Sequence, residues 1–182
     1  FSVDKELVQG VIAGGERALT ESIEGAEDQI DEISNIINNK NISSKDIIIG
    51  ISCSGSAPFV LEFLKISHKI GATTALITFN NVDNIKYVDK IIKTYVGPEI
   101  ISGSTRMKSG TATKMILNMI SSITMIKLNK TYGNYMVDLN VVNKKLEKRA
   151  INILKALTDL NNSEAQIILK KSEGKVKNAI IM

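Results

Sequence analysis

The sequence predicts an α/β fold, a parallel sheet flanked by helices, with a small helical region at its C-terminal end. Three observations predict it. Asp46–Ser52 (DIIIGIS) is a continuous rather than alternating apolar run, the pattern of a parallel strand covered on both faces. A small-residue turn, a proline-led helix and a second apolar run, Ala72–Phe79 (ATTALITF), follow it directly and complete a β-α-β unit. From Val137 to Met182 strand patterning stops and helical spacing takes over.

Taken in order, Leu7–Ala13 (LVQGVIA) predicts a short buried strand ending at Gly14–Gly15. From about Glu16 to Asn38 the apolar positions Ile23, Ala26, Ile30, Ile33 and Ile37 recur at threes and fours, which predicts a helix with one buried face. The loop Asn39–Ser44 ends it. After the strand Asp46–Ser52 comes the turn Ser52–Ala57, with Pro58 at the favoured first helical position. The helix Phe59–Ile70 stops at Gly71, a usual C-cap residue. Asp89–Val96 predicts a further strand, and Gly97–Ser104 a loop into a long helix from about Thr105 to Leu128. The stripe Met115, Ile116, Met119, Ile120, Ile123 and Ile126 on that helix reads as core packing. Gly133–Asn134 breaks the chain, and three helices follow, about Asn140–Leu157, Ser163–Lys171 and Gly174–Met182. Two regions are therefore expected, 1–136 and 137–182.

Composition narrows the function classes. The 182 residues carry a net charge of +4, from scattered lysines and no arginine-rich stripe. Aromatics are 4% and Trp is absent, so the stacking platforms of a nucleic-acid binder are missing and no nucleic-acid partner is expected. Cys53 is the sole cysteine, so no intrachain disulfide can form and a thiol-tolerant compartment, the cytoplasm, is expected. His68 is the sole histidine, which leaves almost no route to a His/Cys zinc site and only a mid-helix candidate for a Ser–His–Asp triad. No apolar run approaches the roughly 18 residues of a membrane span. The start FSVDKELVQG has no signal-peptide layout and no Met, so the chain is expected to begin within a longer protein or after processing.

Three segments could carry chemistry. The turn Ser52-Cys53-Ser54-Gly55-Ser56-Ala57 lies between a parallel strand and a helix, where ligands of open α/β sheets bind. Serine hydroxyls, a glycine that admits close backbone approach, and helix amides together suit a phosphate. A plain N-cap and tight turn would use the same residues. The second segment, Gly103–Thr111 (GSTRMKSGT), gathers hydroxyls with Arg106 and Lys108 at a helix start. Cations there oppose the helix dipole, which points to an anion or carboxylate among them, or to a solvated first turn. The third, Glu24-Gly25-Ala26-Glu27-Asp28, puts Glu24 and Glu27 on one face if the helix is continuous. Either carboxylate could serve as an acid or base, or could simply be solvated. Cys53 reads as a space-filler and His68 as a partly exposed residue near its helix end.

Several stretches together resemble the N-acetylmuramic acid 6-phosphate etherases in order and spacing. They are Ile12–Glu16 (IAGGE), Glu24–Asp28 (EGAED), Ser52–Val60 (SCSGSAPFV), Gly103–Lys114 (GSTRMKSGTATK), Gly133–Asp138 (GNYMVD) and Asn143–Leu146 (NKKL). The SAPFV run is as similar to the related glucokinase regulatory proteins, which share the sugar isomerase (SIS) domain. The resemblance implies an SIS-type, Rossmann-like three-layer domain over 1–136, N-terminally truncated, with the helical region from 137. It implies a cytoplasmic lyase of peptidoglycan recycling, a homodimer, acting on N-acetylmuramic acid 6-phosphate without a metal or organic cofactor. It makes Glu27 the catalytic acid/base, places Ser52, Ser54, Gly55 and Ser56 on the sugar phosphate or its hydroxyls, and places Arg106 and Lys108 near the ligand. Ser56-Ala57 stand where etherases have Arg-Thr, as in the regulatory branch, so a non-catalytic sugar-phosphate sensor is the alternative. The family's upstream G-x-G-T-S-G-R loop and further Glu are expected to precede Phe1.

Overall fold

A computed structural model describes residues 1–139 and 141–182. The chain divides into two compact units, one of Gly10–Ile116 and one of Phe1–Gln9 with Leu117–Met182.

The first unit is built on a three-stranded parallel sheet in the order β1-β2-β3, with β1 at Ile47–Ile51, β2 at Thr73–Thr78 and β3 at Lys90–Lys93. Ile49 stands opposite Ala75, and Ile77 opposite Ile92. β2 is the middle strand and is buried at five successive positions from Thr74 to Thr78. β1 lies at the sheet edge with Ile47 and Ile51 exposed. This corrects the expectation that Asp46–Ser52 is covered on both faces, because an apolar run marks burial without fixing a strand's place in the sheet. α1 (Ile33–Asn39) and α2 (Pro58–Ile70) pack on one another. α2 starts at its proline and ends at Gly71 as read from the sequence. Leu64 on α2 joins Leu76 and Val88 in one buried cluster. Phe59 and Phe63 join Ile33 and Ile37 in another, their rings 6.1 Å apart.

The N-terminal expectations fail. Leu7–Ala13 is not a buried strand, since Leu7, Val8, Val11 and Ile12 are all exposed and no strand forms there. The helix expected from Glu16 to Asn38 is three pieces: 3-10 turns at Glu16–Leu19 and Ala26–Asp28, then α1. Gly25 interrupts the run with φ +70, a backbone shape that a helix cannot continue through. Ile23, Ala26, Ile33 and Ile37 still face inward wholly or partly while Ile30 does not, so the periodicity detected burial without helix continuity.

α3 (Lys108–Lys127) runs from the first unit into the second. Its stripe contradicts the core expectation. Ile116 and Met125 are buried, whereas Met115, Met119, Ile123 and Ile126 are each more than half exposed. Gly133–Asn134 joins two short antiparallel strands, β4 (Thr131–Tyr132) and β5 (Tyr135–Met136), a hairpin absent from the sequence reading. α4 (Lys144–Leu157), α5 (Asn162–Lys171) and α6 (Val176–Ile181) then pack around Leu154, Ala165 and Val176. The helix expected from Asn140 begins at Lys144 behind its cap Asn143, and Asn140 itself lies outside the described residues. Asn161 and Glu164 form a reciprocal capping box at α5.

Leu64 is fully buried between α2 and the sheet, so Leu64→Ala is expected to lower unfolding stability by about 2–5 kcal/mol, measured by urea denaturation. An unchanged midpoint would show that α2 does not seat on the sheet through this residue.

Candidate functional site

The turn after β1 is held by the sheet and by its own serines. Ser52 N donates to Ile77 O at 3.1 Å and Phe79 N donates to Cys53 O at 3.2 Å, so the parallel ladder continues past the last residue of β1. Ser52 is buried, and its Oγ accepts from the amides of Gly55 (3.1 Å) and Ala57 (3.3 Å). Its hydroxyl therefore shapes the loop from within. Ser54 and Ser56 are exposed, and Ser54 Oγ accepts from both the amide (3.2 Å) and the hydroxyl (2.9 Å) of Ser56. Gly55 has φ +77, and a Cβ there would run into Val82 Cγ1 and lie 2.9 Å from Thr78 Oγ1. Only glycine fits a backbone pressed this closely on the end of β2. No side chain of its N-cap residue caps α2; Pro58 has no N–H, so the first helical amides are those of Phe59 and Val60. Two exposed hydroxyls at the open N-terminus of a 13-residue helix make an anion-binding arrangement.

Glu27 sits in the 3-10 turn Ala26–Asp28, exposed, next to the buried Ala26. That turn packs against α2, the helix whose start carries the serine turn. Glu24 does not share a helix face with it, because Gly25 breaks the chain between them, and Glu24 instead accepts from Ser22 Oγ at 3.2 Å. The broken helix removes the paired-carboxylate reading and leaves Glu27 free of it.

At the start of α3 the chain supplies its own acid. Glu99 accepts from the amides of Lys108 and Ser109, each at 3.0 Å, one on either carboxylate oxygen. These amide bonds, first that of Ser109 and then that of Lys108, hold its carboxyl below the usual carboxylate range. Lys108 Nζ donates to Pro98 O at 2.7 Å. Of the alternatives read from the sequence at this helix start, a carboxylate is the one present, and it is Glu99. Arg106 is exposed, and among the described residues no hydrogen bond or ion pair joins Arg106 or Lys108 to the serine turn. His68 lies near the C-terminus of α2 as expected, its Nδ1 3.8 Å from an Asp89 carboxylate that Thr74 binds through both amide and hydroxyl.

Sequence reasoning missed three residues. Thr78 Oγ1 and Asn80 Nδ2 donate to Cys53 O at 3.3 and 3.0 Å, and Glu99 caps α3. The position of Asn80 just beyond the carboxyl end of a parallel strand was a usable signal. For Glu99 the only signal was an acid upstream of a glycine-rich helix start.

A parallel β-α-β core with a serine-lined turn where β1 gives way to α2 is consistent with an SIS-type α/β domain. The family model of the glucokinase regulatory protein N-terminal SIS domain matches residues 2–68, and that of the C-terminal lid domain of glucokinase regulatory protein matches residues 133–179. Across its whole length the chain is 46% identical to the N-acetylmuramic acid 6-phosphate etherase of Clostridium acetobutylicum, covering 61% of that protein. It is 48% identical to N-acetylmuramic acid 6-phosphate etherase 1 of Bacillus licheniformis, covering 60% of it. Over its whole length the chain is similar to N-acetylmuramic acid 6-phosphate etherases. It spans about three fifths of the length of the curated relatives it matches. Among the described residues no helix is long and apolar enough to cross a membrane.

Because the folded pKa of Glu99 is lowered, its cap contributes stability above the ordinary carboxylate range, and that contribution is lost as pH falls through the lowered value. The amide shifts of Lys108 and Ser109 should titrate together with a midpoint below that of a free glutamate. In Glu99→Gln both should be flat through the acid range. A titration surviving in that variant would assign the cap to another group.

Proposed function

We propose that the protein is an N-acetylmuramic acid 6-phosphate etherase, cleaving the D-lactyl ether to give N-acetylglucosamine 6-phosphate and D-lactate by elimination and hydration. The observation that carries this reading is that relatives bearing that name are 43–48% identical over the whole chain, with no segment left unmatched. The geometry of the serine turn supports it. The phosphate takes the Ser54 and Ser56 hydroxyls and the first amides of α2, Ser52 holds the loop, and Gly55 brings its backbone close. Arg106 and Lys108 add positive potential.

With the sugar ring open, the proton on the carbon next to the aldehyde is acidic, because the carbanion delocalises into the carbonyl. Glu27 removes it, and the electron pair forms the double bond as the ether C–O bond breaks and lactate leaves. Water then adds across that double bond, returning a proton and a hydroxyl to the sugar. The aldehyde supplies the electron sink, so no metal or organic cofactor is needed. A cytoplasmic location accords with a phosphorylated sugar substrate, and the family resemblance implies a homodimer.

One observation favours a second reading. The matching family models are those of a regulatory protein, and Ser56-Ala57 follow its pattern. In that reading the same turn senses a sugar phosphate without turning it over.

Glu27→Gln is expected to lower lactate release from N-acetylmuramic acid 6-phosphate by about 10²–10⁴-fold while leaving product binding intact. Full activity in the variant would remove Glu27 from the mechanism, and ligand binding without any lactate from the wild type would favour the sensor. Sedimentation velocity should show a species of twice the chain mass, and a monomer at all concentrations would exclude the homodimer.

A further inference from the structure

We infer that Asn80 is a positioning residue for the serine turn, aiming the Ser54 amide at the bound anion by holding the carbonyl of Cys53. The inference rests on the reading of that turn as a phosphate cradle.

Cys53 O receives three donors: Phe79 N at 3.2 Å, Thr78 Oγ1 at 3.3 Å and Asn80 Nδ2 at 3.0 Å. A carbonyl oxygen has two lone pairs, so one donor is in excess of what satisfaction requires. The Phe79 bond belongs to the sheet ladder and would form whatever the side chains. The Asn80 bond is the shortest of the three and is not required by the fold. Asn80 is exposed, and its amide could be hydrated by water at little cost. Instead it reaches a carbonyl 27 positions earlier in the chain, from the carboxyl end of β2.

Peptide planarity converts that contact into aim. In a trans peptide the C=O and N–H point in opposite directions, so fixing Cys53 C=O toward β2 fixes Ser54 N–H away from it. The neighbouring amides of the loop are already engaged: Ser52 N with Ile77 O, Gly55 N with Ser52 O and Oγ, Ser56 N with Ser54 Oγ. Ser54 N–H has no hydrogen-bond partner among the described residues. It lies beside the exposed hydroxyls of Ser54 and Ser56, a donor set for a phosphate oxygen.

The test follows the Ser54 and Ser56 amide resonances while inorganic phosphate and N-acetylglucosamine 6-phosphate are titrated into wild type, Asn80→Ala and Asn80→Asp. In Asn80→Ala both ligands should weaken by a common factor of about five, the worth of one hydrogen bond. Asn80→Asp should weaken both further, since a carboxylate cannot donate to Cys53 O and repels the phosphate. The thermal midpoint of each variant separates this from loss of fold, because an exposed contact should move it little. Unchanged affinity for both ligands in both variants would overturn the inference. Weakening for the sugar phosphate alone would also overturn it, by placing Asn80 on the sugar instead. If the wild type binds neither ligand, the phosphate-cradle reading itself fails, a result distinct from either of those.

Discussion

The parallel pairing of β1 with β2 is the constraint on which the site depends. The ladder does not stop where the strands do. Ser52 and Cys53 remain in register with Ile77 and Phe79, so the turn leaves the sheet from a fixed point and in a fixed direction. Gly55 then passes close over Thr78 and Val82, and Ser52 ties Gly55 and Ala57 back to itself. α2 has no freedom to start elsewhere, and its apolar side, through Leu64, Phe59 and Phe63, closes the core that holds the two strands together. Core and site are therefore two ends of one arrangement.

The β-α-β segment was legible because its signals are local. A continuous apolar run, a proline at the first helical position and a glycine just past the last are read within a few residues of where they act. The region before β1 was not legible because burial periodicity survives when the backbone does not form the expected element. Ile33 and Ile37 are buried as the spacing requires, yet Gly25 turns the chain and the helix is reduced to its last two turns. The apolar stripe of α3 failed for a different reason. A stripe states that a face is apolar and says nothing of whether this chain covers it, and here Met119 and Ile123 remain open. The hairpin at Gly133–Asn134 was missed because two-residue strands carry almost no pattern, though the dipeptide itself is a turn signal.

The site divides along the same line. The serine turn could be found from composition and placement, since hydroxyls after a parallel strand are chemically conspicuous. What the turn needs in order to hold its shape was visible that way only in the placement of Asn80, and not in the bonds themselves. Thr78 and Asn80 act on a residue more than two dozen positions earlier, and Glu99 acts on amides nine and ten positions later. Such bonds depend on how elements meet, which spacing does not encode. The sequence argument offered an anion or a carboxylate at the α3 start beside a solvated first turn, and a carboxylate is what sits there. It did not identify the acid.

That acid has a consequence for where the molecule can accept a negatively charged guest. The chain offers two helix beginnings dressed in hydroxyls and small residues, α2 and α3, and they look alike on paper. One is plugged: Glu99 occupies both of the amides that an incoming oxyanion would need, and a second negative group could enter only by evicting it. At the other, the serines engage the amides of Gly55, Ser56 and Ala57 and leave that of Ser54 without a partner among the described residues. By stoppering one mouth with an internal carboxylate, the protein makes a choice between two near-equivalent berths before any ligand arrives.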